Sequence, residues 1–192
     1  MRVKVVMTGV ACVLAGAFLF LLTGCNRAVT TSGSVENTTE YVETRPAGEQ
    51  FIGAIKEDMH TAFFDFRLES CSAKTYFDIG DQVYQMEDAY QFLVAKLIIT
   101  NTLAQDIEMF LDDFLITWDE ETMDYGYGLS YTGKDGYMED TVTIGAGETI
   151  ERKILFKVPK AESYILIYDE FYEDGYQGNS YRVSFDVSGS VK

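Results

Sequence analysis

The feature that most constrains the fold of this chain is an alternation of apolar and polar side chains between residues 58 and 187. It is clearest where Phe64, Phe66 and Leu68 alternate with charged residues. In the segment from Phe92 to Thr100 both alternating sets are largely apolar, which is typical of a strand covered on both faces. No window of a dozen residues keeps a helical stripe, so the pattern predicts an all-β domain.

Further alternating segments follow, and turn signals separate them. The segments are Met109 to Trp118, Thr149 to Val158, Tyr164 to Tyr168 and Tyr181 to Val187, and the turns are Gly133 to Gly136, Gly145 to Glu148 and Asp174-Gly175. Pro159 closes one strand because it cannot donate to a ladder. Six to eight short strands over about 130 residues predict an antiparallel two-sheet sandwich.

The N-terminal segment is apolar and uncharged from Val5 to Leu22, after a basic start at Arg2 and Lys4. It ends in the stretch LLTGC, which resembles the lipobox of bacterial lipoproteins at every position. The resemblance implies transfer of diacylglycerol to the Cys25 sulfur and cleavage between Gly24 and Cys25, with acyl chains as a stable anchor. The alternative is an uncleaved signal anchor. We expect a lipoprotein on the outer face of the bacterial cell membrane.

The segment that follows is rich in Thr, Ser, Gly and Glu and has no sustained periodicity, which is typical of a flexible spacer. Within it, Phe51 to Ile55 fits either a short first strand or a lead-in. The predicted organisation is a signal peptide at 1–24, a lipidated Cys25 with linker at 25–57, a sandwich at 58–188 and a tail at 189–192.

Several pieces of the predicted sandwich resemble one family in their order along the chain. They are the Phe-rich opening strand, the strand ending Ile99-Thr100-Asn101, the aromatic strand Phe114 to Trp118, the hairpin Gly133 to Tyr137, the turn Gly147-Glu148 and the strand closing Phe156 to Lys160. Together they are similar to the immunoglobulin-like lipoprotein domain of unknown function of many Gram-positive surface proteins, a family often misnamed after a telomeric-repeat-binding factor. The resemblance implies an extracytoplasmic immunoglobulin-like sandwich and transfers no catalytic residue. Ala146 departs from the family, which often has Pro there.

The charge balance limits the partners. The chain has a net charge of −16, and removal of residues 1–24 leaves 13 bases against 31 acids, a net charge of −18. Such a surface repels phosphate backbones and anionic lipid, so we expect no nucleic-acid binding and membrane attachment through the anchor alone.

Residues suited to nucleophilic catalysis are scarce. His60 is the single histidine and lies before the first clear strand, where a solvated role is the simpler interpretation. Cys71 has no partner once Cys12 is removed and Cys25 is modified, so it is interpreted as a small buried hydrophobe rather than a reactive thiol. We therefore expect no enzyme.

Acidic residues are abundant, and close pairs such as Asp112-Asp113 arise by chance among 31 acids. The loop residues Asp119, Glu121 and Asp124 could bind calcium weakly through oxygen ligands, or form a solvated acidic loop. The stretch from Asp169 to Gly178 does not fit an EF-hand. No other cofactor is predicted.

Tyrosines are concentrated in one Gly-rich segment, at Tyr125, Tyr127, Tyr131 and Tyr137. Tyrosine combines a rigid apolar face with a polar tip, which suits recognition of sugars, peptides or proteins. Packing within strands and hairpins is the simpler interpretation, since Tyr is also favoured there.

The function predicted from these features is a lipid-anchored binding module whose ligand is a protein partner or an envelope glycan. The alternatives are an envelope hydrolase that uses acidic residues, which needs two carboxylates roughly 5–10 Å apart in a cleft, and a calcium-dependent surface-binding protein. A transporter's solute-binding protein is less suitable, because the chain is short and has no βαβ pattern.

Overall fold

Strands dominate the computed structural model, which describes residues 4–5, 48–79, 82–122, 124–131 and 136–187. Cys25, most of the predicted signal peptide and linker, positions 132–135 of the predicted hairpin and the tail lie outside these residues. In the described part no helix is long and apolar enough to cross a membrane. The elements are β1 Lys4–Val5, β2 Gln50–Ala54, β3 Asp58–His60, β4 Phe64–Lys74, β5 Tyr76–Ile79, β6 Gln82–Gln85, β7 Tyr90–Asn101, β8 Ile107–Phe110, a 3-10 turn Leu111–Asp113, β9 Phe114–Asp119, β10 Asp124–Leu129, β11 Thr141–Ile144, β12 Thr149–Pro159, β13 Ser163–Phe171 and β14 Gln177–Asp186.

Nine strands form one hydrogen-bonded ladder in the order β2-β14-β13-β9-β10-β12-β7-β4-β3. β10 joins its two halves, because Tyr125 to Tyr127 pair with β9 whereas Gly128 and Leu129 pair with β12. A strand that changes sheets in this way folds a ladder into two packed layers. Smaller sheets are formed by β1-β8-β11 and by the hairpin β5-β6.

The main core lies between the two layers, which confirms the prediction of an all-β sandwich. Phe64 of β4 packs on Tyr168 of β13 with ring centroids 4.8 Å apart, and Phe66 packs on Phe114 of β9 at 5.3 Å. These four rings are almost completely buried. Gly128 is required where β10 changes layers, since a Cβ there would lie 2.8 Å from the Leu111 side chain.

The central position predicted for the segment Phe92 to Thr100 is also confirmed. β7 pairs with β12 from Tyr90 to Thr100 on one side and with β4 from Phe92 to Asn101 on the other. Its alternate residues Leu93, Leu97 and Ile99 enter the main core, while Phe92 and Val94 are buried on the opposite face.

A buried tyrosine fixes the corner between β12 and β13. The Tyr164 hydroxyl donates to the Pro159 carbonyl at 2.7 Å and accepts from the Ala161 N–H at 2.8 Å and from Gln91 Nε2 at 2.6 Å. A tyrosine that bonds back to the backbone a few residues upstream is the tyrosine corner of Greek-key sandwiches. It explains why β12 ends at Pro159, as the sequence predicts.

Two details differ from the sequence expectations, and the structure decides a third point that the sequence left open. The described residues after Gln50 form more strands than the six to eight predicted, because short elements such as β5, β6, β8 and β11 do not show as separate periods. The segment Met109 to Trp118 is two strands rather than one, since the 3-10 turn Leu111–Asp113 interrupts it. Residues Gln50–Ala54 form a strand, parallel to β14, so the sheet begins before Asp58.

Candidate functional site

The four candidate tyrosines do not share one surface. Tyr127 is 60% exposed and Tyr125 half-buried on β10, whereas Tyr131 and Tyr137 are 7% and 9% exposed. Alternation along β10 places Tyr125 and Tyr127 on the outer face, and the intervening Gly126 faces the core.

Tyr131 and Tyr137 belong to a second, smaller core on the outer face of β7 and β12. Each packs edge-on against Phe77 of β5, with centroids 5.4 and 5.6 Å apart, and the Tyr131 hydroxyl donates to the Asp78 carbonyl. Lys153 Nζ lies 5.8 Å from the Tyr137 ring centroid. These two tyrosines hold the β5-β6 hairpin against the sandwich, as the packing interpretation predicts.

Two cavities meet at the exposed Tyr127, and both are lined by Tyr127 and Asp112. We call them together the Tyr127 groove. The larger, of about 370 Å³, is lined by Leu111, Asp112, Tyr127, Gly128, Ser130 and Asp140. The smaller, of about 140 Å³, is lined by Asp112, Asp113, Leu115, Tyr127, Ile167, Asp169 and Phe171. The larger volume falls within the range typical of ligand pockets.

The floor of the smaller cavity combines apolar side chains with a buried carboxylate. Leu115, Ile167 and Phe171 lie on the outer face of neighbouring strands, where Leu115 pairs with both Tyr127 and Ile167. Asp113 is 8% exposed, and its Oδ2 accepts a hydrogen bond from the Phe110 N–H at 2.7 Å.

Burial controls the ionisation of Asp113. Desolvation raises its pKa to about 6, the Phe110 hydrogen bond opposes that rise, and the neighbouring Asp112 adds to it. Burial also raises the pKa of the Tyr168 phenol, to which Asp113 and Glu170 contribute. Among the described side chains, the Tyr168 hydroxyl is the buried polar group without a hydrogen-bond partner.

The other carboxylates of the groove differ in their partners. Asp169 is neutralised, because its Oδ1 accepts from Arg182 Nη1 at 3.0 Å and from the Ser180 hydroxyl. Asp112 and Asp140 are exposed, and within the described residues no lysine or arginine pairs with either of them. The groove is therefore apolar at its floor and negative at its rim.

The predicted calcium ligands lie at the other end of β9 and β10. Asp119 Oδ1 accepts from the Glu121 N–H at 2.9 Å, and Asp124 Oδ2 accepts from the Thr122 hydroxyl at 3.2 Å. These bonds organise the turn between the two strands. In the part of the chain that the structure describes, no group of three or more His, Cys, Asp or Glu side chains could hold a metal ion.

The two remaining candidates for catalysis are placed apart from the groove. His60 lies in β3, its side chain is 74% exposed, and its hydrogen bond to Asp65 raises its pKa. Cys71 lies in β4, partly buried against the main core, and burial raises the pKa of its thiol to about 12. A thiol so protonated is a poor nucleophile at neutral pH.

Sequence reasoning missed the groove carboxylates and one buried acid. Asp112 and Asp113 form an acidic pair that interrupts an apolar segment. This interruption is the one sequence signal that could have indicated the groove carboxylates. Glu170 is completely buried, and its two oxygens accept from the Ala62 N–H at 2.7 Å, the Tyr181 hydroxyl at 2.9 Å and the Asn179 N–H at 2.9 Å.

Comparison with known proteins places the domain in a family. Residues 69–178 match the sequence profile of DUF4352, a domain of unknown function, and the chain belongs to that family. No curated protein sequence matches the chain.

Two solved structures share the fold at low identity, and a third is similar at a lower TM-score. The protein ycdA of Bacillus subtilis, described as a candidate lipoprotein, has a TM-score of 0.53 and 16% identity over 69% of this chain, which spans 39% of ycdA. The yjhA protein of the same species has a TM-score of 0.51 and 15% identity over 70% of this chain and 99% of its own. An uncharacterized β-sandwich protein of Clostridium difficile has a TM-score of 0.47 and 13% identity over 74% of this chain and 98% of its own.

Proposed function

We propose that the protein is a lipid-anchored binding module on the outer face of a bacterial membrane and that the Tyr127 groove is its ligand site. The lipobox-like stretch ending at Cys25 supports the anchor, and the similarity of the fold to ycdA, described as a candidate lipoprotein, is consistent with it. The ligand is an envelope component, either a protein or a glycan.

One observation carries the choice of site. Among the candidate tyrosines, Tyr127 alone is largely exposed, and it stands at the junction of two cavities that have both apolar and charged walls. An exposed aromatic side chain beside a pocket is the usual anchor of a binding surface, because it contributes a large apolar area at a small entropic cost.

The test compares binding of the full-length protein and its variants to isolated cell envelopes. Tyr127→Ala is expected to weaken binding at least about tenfold, or about 1.4 kcal/mol. Tyr76→Ala is the matched control, because Tyr76 is a similarly exposed tyrosine, at 52%, on the β5-β6 hairpin away from the groove. Equal binding by the wild type and Tyr127→Ala, or equal losses in both variants, would exclude the groove as the site.

A second candidate function is glycan hydrolysis, and Asp113 favours it. A carboxyl with a pKa raised to about 6, in a cleft that other carboxylates also line, is suited to act as a general acid. Release of sugar fragments from envelope glycans by the wild type, with none from Asp113→Asn, would identify an enzyme. Binding without any such release supports the binding module.

A further inference from the structure

Strand β2 (Gln50–Ala54) lies at one end of the nine-stranded ladder, so it pairs with β14 along one edge only. The backbone of Glu49 bonds towards β14, because its N–H donates to Asn179 Oδ1 at 3.1 Å and its carbonyl accepts from the Ser180 N–H at 2.8 Å. The N–H and C=O of one residue point to the same side of a strand, and that side alternates along the chain. Every second residue from Glu49 onward therefore faces β14, and the residues between them face away.

The backbone groups that face away belong to Gln50, Ile52 and Ala54. Ala54 is already satisfied, because its N–H donates to Glu57 Oε2 at 2.8 Å and its carbonyl accepts from the Glu57 N–H at 3.1 Å. Within the described residues, the N–H and C=O groups of Gln50 and Ile52 have no hydrogen-bond partner. Two donors and two acceptors therefore stand in a row along the free edge of β2.

The edge of β2 lacks the usual protection against pairing with another strand. Monomeric proteins commonly block a sheet edge with charged side chains, Pro or a bulge. The opposite end of the ladder follows this rule, because Asp58 and His60 of β3 are both exposed. β2 contains neither a charged residue nor Pro, and its Ile52 and Phe51 side chains are 74% and 40% exposed. An unblocked, partly apolar edge is suited to strand addition.

The free groups of β2 are complementary to those of a second copy. When two β2 strands meet antiparallel about a twofold axis at Phe51, Gln50 of each copy lies opposite Ile52 of the other. Each of these two pairs exchanges two hydrogen bonds, so all four free groups of each copy are satisfied. Phe51 then meets its symmetry mate as a cross-strand aromatic pair, beside the Tyr181 ring on which it stacks at 5.3 Å.

We propose that the protein forms a twofold dimer through antiparallel pairing of β2 with β2 of a second copy. The register across the sheet places Ile52 on the same outer face as Tyr127, through the paired residues Arg182, Ile167 and Leu115. The twofold axis is perpendicular to the sheet, so both Tyr127 grooves lie on one side of a continuous sheet. The inference does not depend on the proposed function, but a dimer of this kind would make the binding module bivalent.

The net charge gives this dimer a distinctive salt dependence. The chain carries −16, and −18 after removal of residues 1–24, so two copies repel each other. Added salt screens that repulsion, whereas the contact itself is made by backbone groups and apolar side chains. The dimer is therefore expected to become tighter as sodium chloride is added.

Sedimentation equilibrium of the full-length protein in detergent measures the association. Ile52→Pro removes an N–H that faces away from β14, so it is expected to weaken the dimer at least tenfold and to leave the thermal unfolding midpoint nearly unchanged. Ile52→Ala is the matched control, because it shortens the same side chain but keeps the N–H, and it is expected to weaken the dimer less than Ile52→Pro does.

A disulfide tests the register and does not depend on the proline variant. On a Cys71→Ser background, Phe51→Cys brings two thiols together at the twofold axis, where the Cα atoms of such a pair are about 4.5 Å apart and a disulfide can form. Mild oxidation is expected to give a covalent dimer. His60→Cys on the same background places the thiol on the opposite, charged edge and is expected to stay monomeric.

Four results would overturn the proposal. They are a monomer at every concentration up to about 0.1 mM, a dimer that Ile52→Pro leaves unchanged, a dimer that weakens as salt is added, and equal cross-linking of Phe51→Cys and His60→Cys. Oxidation in intact cells that joins Phe51→Cys to a different protein, and not to a second copy, would also reject the dimer and identify β2 as the edge for another partner.

Discussion

Asp113 is the residue at which local structure and ionisation are most closely connected. Its carboxylate accepts the Phe110 N–H and so organises the 3-10 turn that ends β8 and begins β9. Burial raises its pKa from 3.8 to about 6. The folded state therefore holds this proton more tightly than the unfolded chain, and ionising the group at neutral pH costs about 3 kcal/mol of folding free energy.

Replacement of Asp113 by Asn is expected to stabilise the protein in a pH-dependent way. The amide oxygen can still accept the Phe110 N–H, but no charge is buried. In the wild type, the cost of ionising Asp113 appears as the pH rises through about 4 to 6. The variant is therefore expected to exceed the wild type in free energy of unfolding by up to about 3 kcal/mol at pH 7.5 and by little at pH 4. Urea unfolding at the two pH values measures the difference.

Asp112→Asn serves as the control for that measurement, because Asp112 is exposed and its replacement is expected to change stability by less than about 0.5 kcal/mol. If Asp113→Asn raises the free energy of unfolding equally at both pH values, ionisation of the Asp113 carboxyl in the folded protein does not cost folding free energy.

At this scale the sequence could indicate residue types but not their exposure. Tyr127 and Tyr131 stand in the same Gly-rich segment, yet one is at the surface and the other in the small core, because β5 folds back over only one of them. The Asp112-Asp113 pair is visible in the sequence, but only the structure shows that Asp113 is buried and lines a cavity with Ile167 and Phe171, which are distant in sequence.

Glu170 connects elements that are distant in sequence. It lies in β13, accepts the Ala62 N–H from the turn between β3 and β4, and accepts the Asn179 N–H from β14. Gly178 is required beside it, because a Cβ there would lie 2.5 Å from Glu170 Oε2. The buried carboxylate thus joins the two layers at one end of the sandwich.

Glu170→Gln is expected to destabilise the fold by about 2–4 kcal/mol despite its equal size. The amide N–H₂ would face backbone N–H donors, so one donor of the network would lose its acceptor. Denaturant unfolding measures the loss, and hydrogen exchange at the Ala62 and Asn179 amides is expected to accelerate. Glu173→Gln, at an exposed position of the same hairpin, is the control. An unchanged unfolding midpoint would contradict a structural role for Glu170.

At the scale of elements the sequence predicted the long strands well and the short ones poorly. β7 and β12 carry enough alternating residues to show their period, and Pro159 marks an end that the structure confirms. The sequence pattern predicts β8 and β9 as one strand, because the break between them depends on the Asp113 side chain rather than on a Gly or Pro residue. The parallel pairing of β2 with β14 is a long-range contact that no local pattern encodes.

For the whole molecule, the proposed anchor is the means by which so acidic a domain would attach to a membrane. With a net charge of −18 after cleavage, residues 25–192 would be repelled by anionic lipid. Attachment of the cleaved protein would then depend on the acyl chains alone.

Cys25→Ser is expected to abolish both lipid attachment and cleavage after Gly24, so the variant keeps residues 1–24 and carries no acyl chains. Cys71→Ser is the matched control and is expected to be cleaved and lipidated like the wild type, because Cys71 is a partly buried residue of β4. Mass spectrometry of the mature N-terminus checks the chemistry directly. An unmodified Cys25 or an intact Met1 in the wild type would refute the lipoprotein prediction.

The parallel register of β2 and β14 has a consequence for orientation. Gln50 lies opposite Ser180 near the start of β14, and β9 begins at the same end of the sheet, where Phe114 pairs with Tyr168 directly after Asp113. The chain therefore enters the sandwich at the end that carries the groove. Any segment joined before Gln50 therefore meets the sheet beside the strand ends that carry the groove, rather than at the opposite end of the sheet.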